Sequence, residues 1–459
     1  MTTDPYAAPA PFAVTRPRRV PWPAPPRWLP FAAIGAGCVA AVGIPDQRVG
    51  LGTVLTIAAI AAAIRPAVRL SRSDWLLGAL LVAFLPMLVL RDAEWLTALD
   101  LLAVAGLGTW VLAGARTFTG LVTAGVTIWA RLVPAVSYVL RPLRPRVRHS
   151  AAVRGGVVAA LLVLVFGALF ASADAAFASL ASRVVPSFDA GLLPVRVVVG
   201  GFATVLVGAG VLTRLRPLAP PVLPEPVARS RSEWAVPVLA LDALFACFVA
   251  VQLAVLFGGH AHVLRTSGLT YAEYARQGFF QLVAVAVLTL GVVAFVASRV
   301  RLDAARDRLF ARASLGTLLL LVLVVLASAW RRLALYESAY GYTRLRLFVH
   351  AVIAGIALVV LCVAVAGTLW RTTWLARAVA VVGAVTLLGL NVANPDALIA
   401  RRAVHMHRSG NEIDMYYLAG LSADAVPALR SLTAPCAHVA RSESWLAWNL
   451  SRQRARSFC

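Results

Sequence analysis

The chain has 459 residues, of which 60% are hydrophobic and 14% are charged, and its mean hydropathy is +0.81. A composition this apolar cannot fold around a soluble core without exposing large apolar patches, which excludes an ordinary water-soluble protein. The formal charge of +23 comes from arginine alone, because the 43 basic residues include no lysine and lie mostly in short loops between apolar stretches. That distribution indicates a membrane protein and argues against nucleic acid as a partner.

The apolar stretches follow a proline-rich start, residues 1–27, which we expect to be a disordered cytoplasmic tail. Taking about 20 apolar residues per crossing, the sequence predicts spans at 28–44, 50–64, 75–90, 95–115, 155–172, 194–213, 235–258, 279–298, 314–330, 347–369 and 373–390. The expected fold class is all-α, a polytopic transmembrane helical bundle of about 11 spans with a small helical extracytoplasmic C-terminal cap.

Residues 117–139 are moderately apolar but are interrupted by Arg131 and Pro134, so we interpret them as an interfacial helix on the cytoplasmic face. With that assignment, the excess of arginine over acidic residues is much larger in the inside loops than in the outside loops. The amino terminus is then cytoplasmic. The predicted regions are an N-terminal membrane region at 28–154, a second membrane region at 155–390 and an extracytoplasmic tail at 391–459 of a multi-pass protein of the bacterial plasma membrane.

Two of the five cysteines, Cys436 and Cys459, lie in this hydrophilic tail, whereas the others lie inside predicted spans. An oxidising compartment would permit a disulfide between them. Two unrelated thiols are an equal alternative, because spacing alone does not establish connectivity.

Two carboxylates, Asp100 and Asp242, fall inside predicted spans. An ionised carboxylate is costly in hydrocarbon, so each must face a partner, a cavity or the bundle interior, or else be protonated. Such residues are typical of an ion or proton path. The alternative is an interhelical hydrogen bond or a carboxylate wetted near the interface.

Polar and aromatic residues cluster in two loops assigned to the outside. The residues predicted to bind a ligand there are Tyr271, Glu273, Tyr274, Arg276, Tyr340, Arg344 and Arg346. Surplus arginine in a translocated loop works against the insertion rule, which favours partners in acidic groups or an anionic ligand. The alternative is an aromatic belt with arginines reaching to the headgroups.

Two H-x-H pairs, His260 with His262 and His405 with His407, could bind zinc or copper only with a third ligand, which the spacing does not supply. We therefore expect no metal and no cofactor. Without lysine there is no Walker A lysine and no Schiff base, and no nucleophile and base can be placed at one depth, so an enzyme is not expected.

Five segments carry a family resemblance: SADAAF from Ser172, GLTYAEYARQGFF from Gly268, YGYTRLRLF from Tyr340, NPDALIARRA from Asn394 and YLAGLSADAVPAL from Tyr417. Together they resemble a group of bacterial polytopic membrane proteins catalogued as a domain of unknown function, the 4153/4173 group. The resemblance runs from the fifth span to the tail, and the first four spans do not share it. It implies a common architecture and a common functional surface without supplying a reaction.

Two functions remain. One is an envelope-associated binding, signalling or scaffolding protein that contacts membrane lipids and an envelope or protein partner through its outer face. The other is an ion-coupled transporter that uses Asp242 and Asp100. We favour the first, because the densest polar clusters lie outside the predicted spans rather than at their centre. A polar cavity that reaches Asp242 would favour the second.

Overall fold

The computed structural model describes residues 22–45, 48–68, 71–114, 117–143, 192–216, 231–257, 279–299, 304–369, 371–410, 412–432 and 443–458, with isolated helical residues between 159 and 170. The structure is 84% helical, and its described residues include no strand, which confirms the all-α class. Seven of its helices are long and apolar enough to cross a membrane, and four shorter apolar helices accompany them among the described residues. The chain is therefore a polytopic helical membrane protein.

The longer helices are α1 (Leu29–Gly43), α2 (Leu51–Ile64), α3 (Arg72–Leu90), α4 (Glu94–Ala113), α5 (Phe118–Leu140), α6 (Leu193–Leu215), α7 (Arg231–Phe257), α8 (Phe279–Arg299), α9 (Ala305–Tyr340), α10 (Arg344–Leu369), α11 (Leu375–Ala393) and α12 (Pro395–Arg408). Three shorter ones follow: α13 (Met415–Ala419), α14 (Val426–Leu429) and α15 (Leu450–Arg456). Each predicted span coincides with one of α1–α4 or α6–α11, except the fifth, 155–172, which lies largely outside the described residues.

Helix α9 is much longer than the sequence predicted. We expected a span at 314–330, whereas the helix has 36 residues and a length of about 54 Å. The hydrocarbon core of a bilayer is only about 30 Å thick, so both ends of α9 extend beyond it. The charged residues at both ends limit the apolar stretch, but the helix itself continues beyond that stretch in both directions.

Helix α5 covers the segment predicted to lie at the interface. Arg131, midway along it, donates hydrogen bonds to the carbonyl oxygens of Leu212, at 2.5 Å, and Arg216, at the C-terminal end of α6. Val139, eight residues later, lies against Gly208. The second half of α5 therefore runs antiparallel to α6. The helix is long and apolar enough to cross a membrane, and its interfacial placement stays a prediction.

Close helix contacts in the N-terminal half depend on glycine. Gly37 of α1 faces Gly200 of α6, where a Cβ built on Gly37 would lie 2.6 Å from the opposite carbonyl oxygen. Gly43 of α1 and Gly52 of α2 face each other in the same way. Because lipid does not drive helices together as water does, small residues that let backbones approach are a common means of association in membranes.

The cap, which we define as residues 394–432 and 443–458, is joined to α11 by a sharp turn at Asn394. This residue adopts the left-handed conformation (φ 55°), ends α11, and accepts a hydrogen bond from the amide of Ala397 as the N-cap of α12. Pro395 occupies the first turn of α12, where its missing N–H is not needed. One residue therefore redirects the chain from a membrane helix into the cap.

Candidate functional site: a polar junction beneath the cap

Turns from distant parts of the chain meet under the cap. They are the loop between α1 and α2, the turn between α3 and α4, the start of α10, the turn between α11 and α12, and the cap segments around 422–424 and 449–452. We call the residues that meet there the polar junction: Arg91, Asp92, Arg344, Asn391, Asn394, Asp396, Ser422, Asp424, Glu443, Asn449, Ser451 and Arg452. We call this end of the bundle the cap side.

The centre of the junction is the pair of Arg344 and Asp396. The guanidinium donates two hydrogen bonds to the carboxylate, from Nε to Oδ1 at 2.9 Å and from Nη2 to Oδ2 at 2.6 Å. The amide of Ser422 donates a third bond to the same carboxylate, at 2.9 Å. Asp396 is completely buried. Burial alone would raise its pKa, but the hydrogen bonds and charge of Arg344 outweigh burial and lower the pKa below the usual range. The carboxylate is therefore held ionised.

Asp424 accepts hydrogen bonds from the amide of Asp92, at 2.7 Å, and from the hydroxyl of Ser451, at 2.6 Å. The guanidinium of Arg91 lies 3.7 Å from the same carboxylate and donates from Nε to the carbonyl oxygen of Asn391, at 2.7 Å. The cap is therefore bound to the α3–α4 turn and, through Arg91, to the end of α11.

Arg452 is the most widely connected side chain of the junction. It is 3% exposed. It donates from Nε to Glu443 at 3.0 Å, from Nη1 to Asp92, and from Nη2 to the carbonyl oxygens of Val49, at 3.1 Å, and Ala447. Burial raises the pKa of Asp92 despite the opposing charge and hydrogen bond of Arg452. One guanidinium thus joins the α1–α2 loop, the α3–α4 turn and the cap.

Asn449 fixes the start of the last helix against the membrane bundle. Its side-chain oxygen accepts hydrogen bonds from the amides of Ser451, at 3.0 Å, and Arg452, which is the usual action of an N-cap. Its side-chain nitrogen donates to the carbonyl oxygen of Arg91 at 2.7 Å. The same residue therefore caps α15 and donates a hydrogen bond to a carbonyl oxygen at the C-terminal end of α3.

Chemically, the junction is a set of paired charges rather than a vacant charged pocket. The three carboxylates that pair directly with arginine here, Asp396, Asp92 and Glu443, each have their cation in contact. Among the described residues there is no group of three or more His, Cys, Asp or Glu that could hold a metal ion. Such a network can hold a cap in one position, because breaking any pair leaves a buried charge without its partner.

Of the predicted ligand-binding residues, the structure places only Arg344 in the junction. Arg346 instead donates to the carbonyl oxygens of Gly341, at 2.5 Å, and Tyr340, and its guanidinium lies 4.2 Å from the ring of Tyr336. Tyr340 is 54% exposed. Tyr271, Glu273, Tyr274 and Arg276 lie outside the described residues, so their meeting with Arg344 stays a prediction. The carboxylate partner that the structure shows for Arg344 is Asp396.

The two carboxylates inside the spans differ. Asp100 is completely buried and accepts a hydrogen bond at 2.7 Å from the side-chain nitrogen of Asn391, which belongs to the junction. Asp242 is half-buried, and its Oδ1 atom is buried without a hydrogen-bond partner among the described residues. The structure does not bring the two aspartates together. The alternative of an interhelical hydrogen bond is therefore observed for Asp100.

Three cysteines, Cys38, Cys247 and Cys362, are free thiols, while Cys436 and Cys459 lie outside the described residues and their disulfide stays a prediction. His405 and His407 are exposed on α12. The first histidine pair, at 260 and 262, also lies outside the described part of the chain.

Sequence reasoning missed Asp92, Asp396, Asp424 and Arg452, which make the charged contacts of the junction. Asp396 and Asp424 lie within two of the family-like segments, NPDALIARRA and YLAGLSADAVPAL. The segments carry the resemblance, but they do not indicate which groups the two carboxylates contact. No local spacing rule could predict these contacts, because Asp396 is 52 positions from Arg344, Asp424 is 332 from Asp92, and Arg452 is 360 from Asp92.

The fold and the junction define a class, namely polytopic all-helical membrane proteins with a C-terminal cap clamped onto one end of the bundle. Residues 76–432 match the family described as Domain of unknown function (DUF4153), and the chain belongs to that family. The match begins inside α3, so it extends further toward the amino terminus than the resemblance predicted. It includes Arg91 and Asp424 and ends before Asn449 and Arg452. No curated protein and no solved structure matches the chain.

Proposed function

We propose that the protein is an envelope-associated binding protein whose cap binds an anionic partner on the extracytoplasmic side of the membrane. One observation carries the proposal. Helix α12 exposes Arg401, His405 and Arg408, which are spaced i, i+4 and i+7 and therefore lie on one face. We call these three residues the cationic row, in which Arg401 and Arg408 carry the charge. The other face of α12, with Ile399 and Ala400, packs into the core of the cap.

Within the described part of the chain, the arginines of the cationic row lack the carboxylate partners that the arginines of the junction have. Arg344 and Arg452 are neutralised by carboxylates of the same chain. Among the described residues, no carboxylate forms an ion pair with Arg401 or Arg408. Exposed cations on one face create a positive potential that attracts and orients an anionic partner. The two arginines of the row therefore leave their positive charge available for a partner.

The arginine distribution supports placing this surface outside the cell. Arginine is strongly enriched in the loops that would face the cytoplasm if the amino terminus is inside. With that orientation, α12 begins one residue after α11 leaves the membrane, because only Asn394 separates the two helices. The cationic row then lies close to the outer surface, where envelope components and lipid headgroups are accessible.

The test uses the full chain in nanodiscs of a neutral lipid, with inorganic polyphosphate and polyglutamate as soluble anionic probes. We expect salt-sensitive binding that the Arg401→Ala/Arg408→Ala double variant weakens by roughly tenfold, since each exposed charge contact contributes under about 1 kcal/mol. Arg454→Ala is the matched control, because Arg454 is an exposed cap arginine outside the row. Equal binding by the wild type and the double variant would contradict the proposal.

A second candidate, the ion-coupled transporter, is favoured by the buried pair of Asp100 and Asn391. Asp100 Oδ2 and Asn391 Oδ1 are both buried acceptors without a hydrogen-bond partner among the described residues. A protonated carboxyl could supply a donor there. Proton flux into proteoliposomes that is abolished by Asp100→Asn, with the Asp242→Asn variant as a comparison, would establish transport. If the protein is a binding protein, we expect no proton flux in the wild type or in either variant.

A further inference from the structure

We infer that an apolar groove between α10 and α11 binds one acyl chain of a membrane lipid from the cap-side leaflet. The groove has a cavity volume of about 360 Å³ and an almost wholly apolar lining. Its walls come from Phe348–Val359 of α10 and Val379–Leu390 of α11, with Leu99 of α4 and Leu290 of α8 completing it. A volume of this size lies in the range of ligand pockets, which is about 300–1,000 Å³. The inference does not depend on the function proposed for the cap.

The length and position of the groove match one leaflet. From Phe348 to Val359, α10 rises about 16 Å, which is roughly half of the 30 Å hydrocarbon core. One end lies at Phe348 and Leu390, within a few residues of Arg344 and Asn391 and thus next to the polar junction. The other end, at Val359 and Val379, lies deeper along the same two helices. The groove therefore runs from the cap side to about the middle of the bilayer.

Small side chains open the groove. Gly383 faces it from α11, and a Cβ built on this glycine meets no atom within 4 Å. Gly355 faces it from α10, where a built Cβ would come within 3.3 Å of Thr386 Oγ1. The described residues thus leave the space beside Gly383 unfilled. In a membrane, acyl chains are the apolar groups available to fill such a space.

A tryptophan packs against the cap-side end of the groove. The ring of Trp95 packs edge-on against Phe348, with ring centroids 6.2 Å apart. Trp95 belongs to the same apolar cluster as Leu387 and Leu390, which line the groove. Tryptophan side chains are enriched at the level of the lipid headgroups. The position of Trp95 therefore places the cap-side end of the groove at the level where a lipid carries its ester groups.

The experiment uses the full chain in nanodiscs that contain a phospholipid with a diazirine on one acyl chain, followed by photolysis and peptide mapping. A diazirine near the ester should label residues around Phe348 and Leu390, and one near the terminal methyl should label residues around Val359 and Val379. The opposite order would overturn the assignment to the cap-side leaflet. Uniform labelling of all lipid-facing helices would show an ordinary lipid annulus and overturn the inference.

A second experiment repeats the photolabelling with variants whose side chains fill the groove. Gly383→Leu should reduce labelling of the groove by roughly fivefold or more, because an added side chain competes for the same volume. Gly389→Leu is the matched control: Gly389 lies on the same helix, its built Cβ also meets nothing within 4 Å, and it does not line the groove. Val382→Phe fills the groove from a neighbouring position if Gly383→Leu fails to fold. Unchanged labelling in a folded filling variant, or crosslinks from these residues to a second copy of the chain, would refute acyl-chain binding.

Discussion

The guanidinium of Arg344 and the carboxylate of Asp396 face each other through two parallel hydrogen bonds, at the point where α10 begins and α12 begins. Arg344 is the first residue of a membrane helix, and Asp396 is in the first turn of the cap. A planar, bidentate pair of this kind fixes orientation as well as distance. The cap is therefore held in a defined position on the bundle by a contact that spans 52 positions of the chain.

Removing one member of this pair should destabilise the protein strongly. Asp396→Asn leaves the Arg344 guanidinium partly buried without its counter-charge, for which we expect a loss of roughly 3 kcal/mol in the free energy of unfolding. Thermal unfolding in nanodiscs measures the loss. The double variant Arg344→Ala/Asp396→Ala should lose less stability than the sum of the losses for Arg344→Ala and Asp396→Ala, because both substitutions remove the same interaction. Strict additivity would show that the pair does not contribute as described.

The same carboxylate predicts a dependence on pH. Because its pKa is lowered in the folded state, ionised Asp396 stabilises the fold fully at pH values above the unfolded-state pKa of about 3.9. That contribution disappears as the pH falls through this value toward the lower folded-state pKa. We expect the wild type to lose more stability than Asp396→Asn when the pH is lowered from 6 to 3, a range of about 3 units around that pKa. Parallel curves for the two proteins would contradict this assignment.

Arg452 predicts which part of the protein loosens first. Arg452→Ala removes the contacts to Asp92, Glu443 and the carbonyl oxygen of Val49, so the cap should detach locally while the spans stay folded. Limited proteolysis should then cleave the cap at least about tenfold faster, as expected for a loss above 1.4 kcal/mol in local stability. Arg454→Ala, an exposed neighbour in the same helix, should behave as the wild type. Similar cleavage rates for both variants would mean that Arg452 does not hold the cap.

The orientation of the protein can be tested with reporter fusions at the two ends. We expect a cytoplasmic amino terminus and an extracytoplasmic cap, because arginine is enriched in the loops assigned to the inside. A cap fusion that is active only in the cytoplasm would reverse the proposed location of the cationic row. It would also place α5 among the membrane-crossing helices, since one additional crossing changes the side on which the cap lies.

The cysteines of the tail give an independent check on that orientation. If the cap is extracytoplasmic, Cys436 and Cys459 should form a disulfide, because an oxidising compartment permits one. Mass mapping of peptides under non-reducing conditions detects the bond directly. Recovery of both residues as free thiols from oxidised membranes would remove the prediction and leave two unrelated cysteines.

The sequence predicted the helices far better than the contacts between them. Span positions follow from apolar length alone, and this property is local. Helix α9 extended beyond its apolar stretch because a helix can continue into water where its charged residues are solvated. Of the surplus arginines near the start of α10, Arg344 has a carboxylate partner, whereas Arg346 contacts backbone carbonyl oxygens and the ring of Tyr336. The identity of Asp396 as that partner depends on how the bundle brings two distant helix ends together, which no local pattern encodes.

The position of Arg452 in the chain has a consequence for how the protein matures in the cell. The ribosome adds this arginine after every membrane helix that it joins, and its contacts reach back 360 positions to Asp92 and 403 to Val49. Until Arg452 has been synthesised, Asp92 in the α3–α4 turn lacks this guanidinium as its partner. A chain arrested before Arg452 would lack the hydrogen bonds of this guanidinium to Asp92 and to the carbonyl oxygen of Val49. The contacts of Arg452 can therefore form only after every membrane helix that they join has been synthesised.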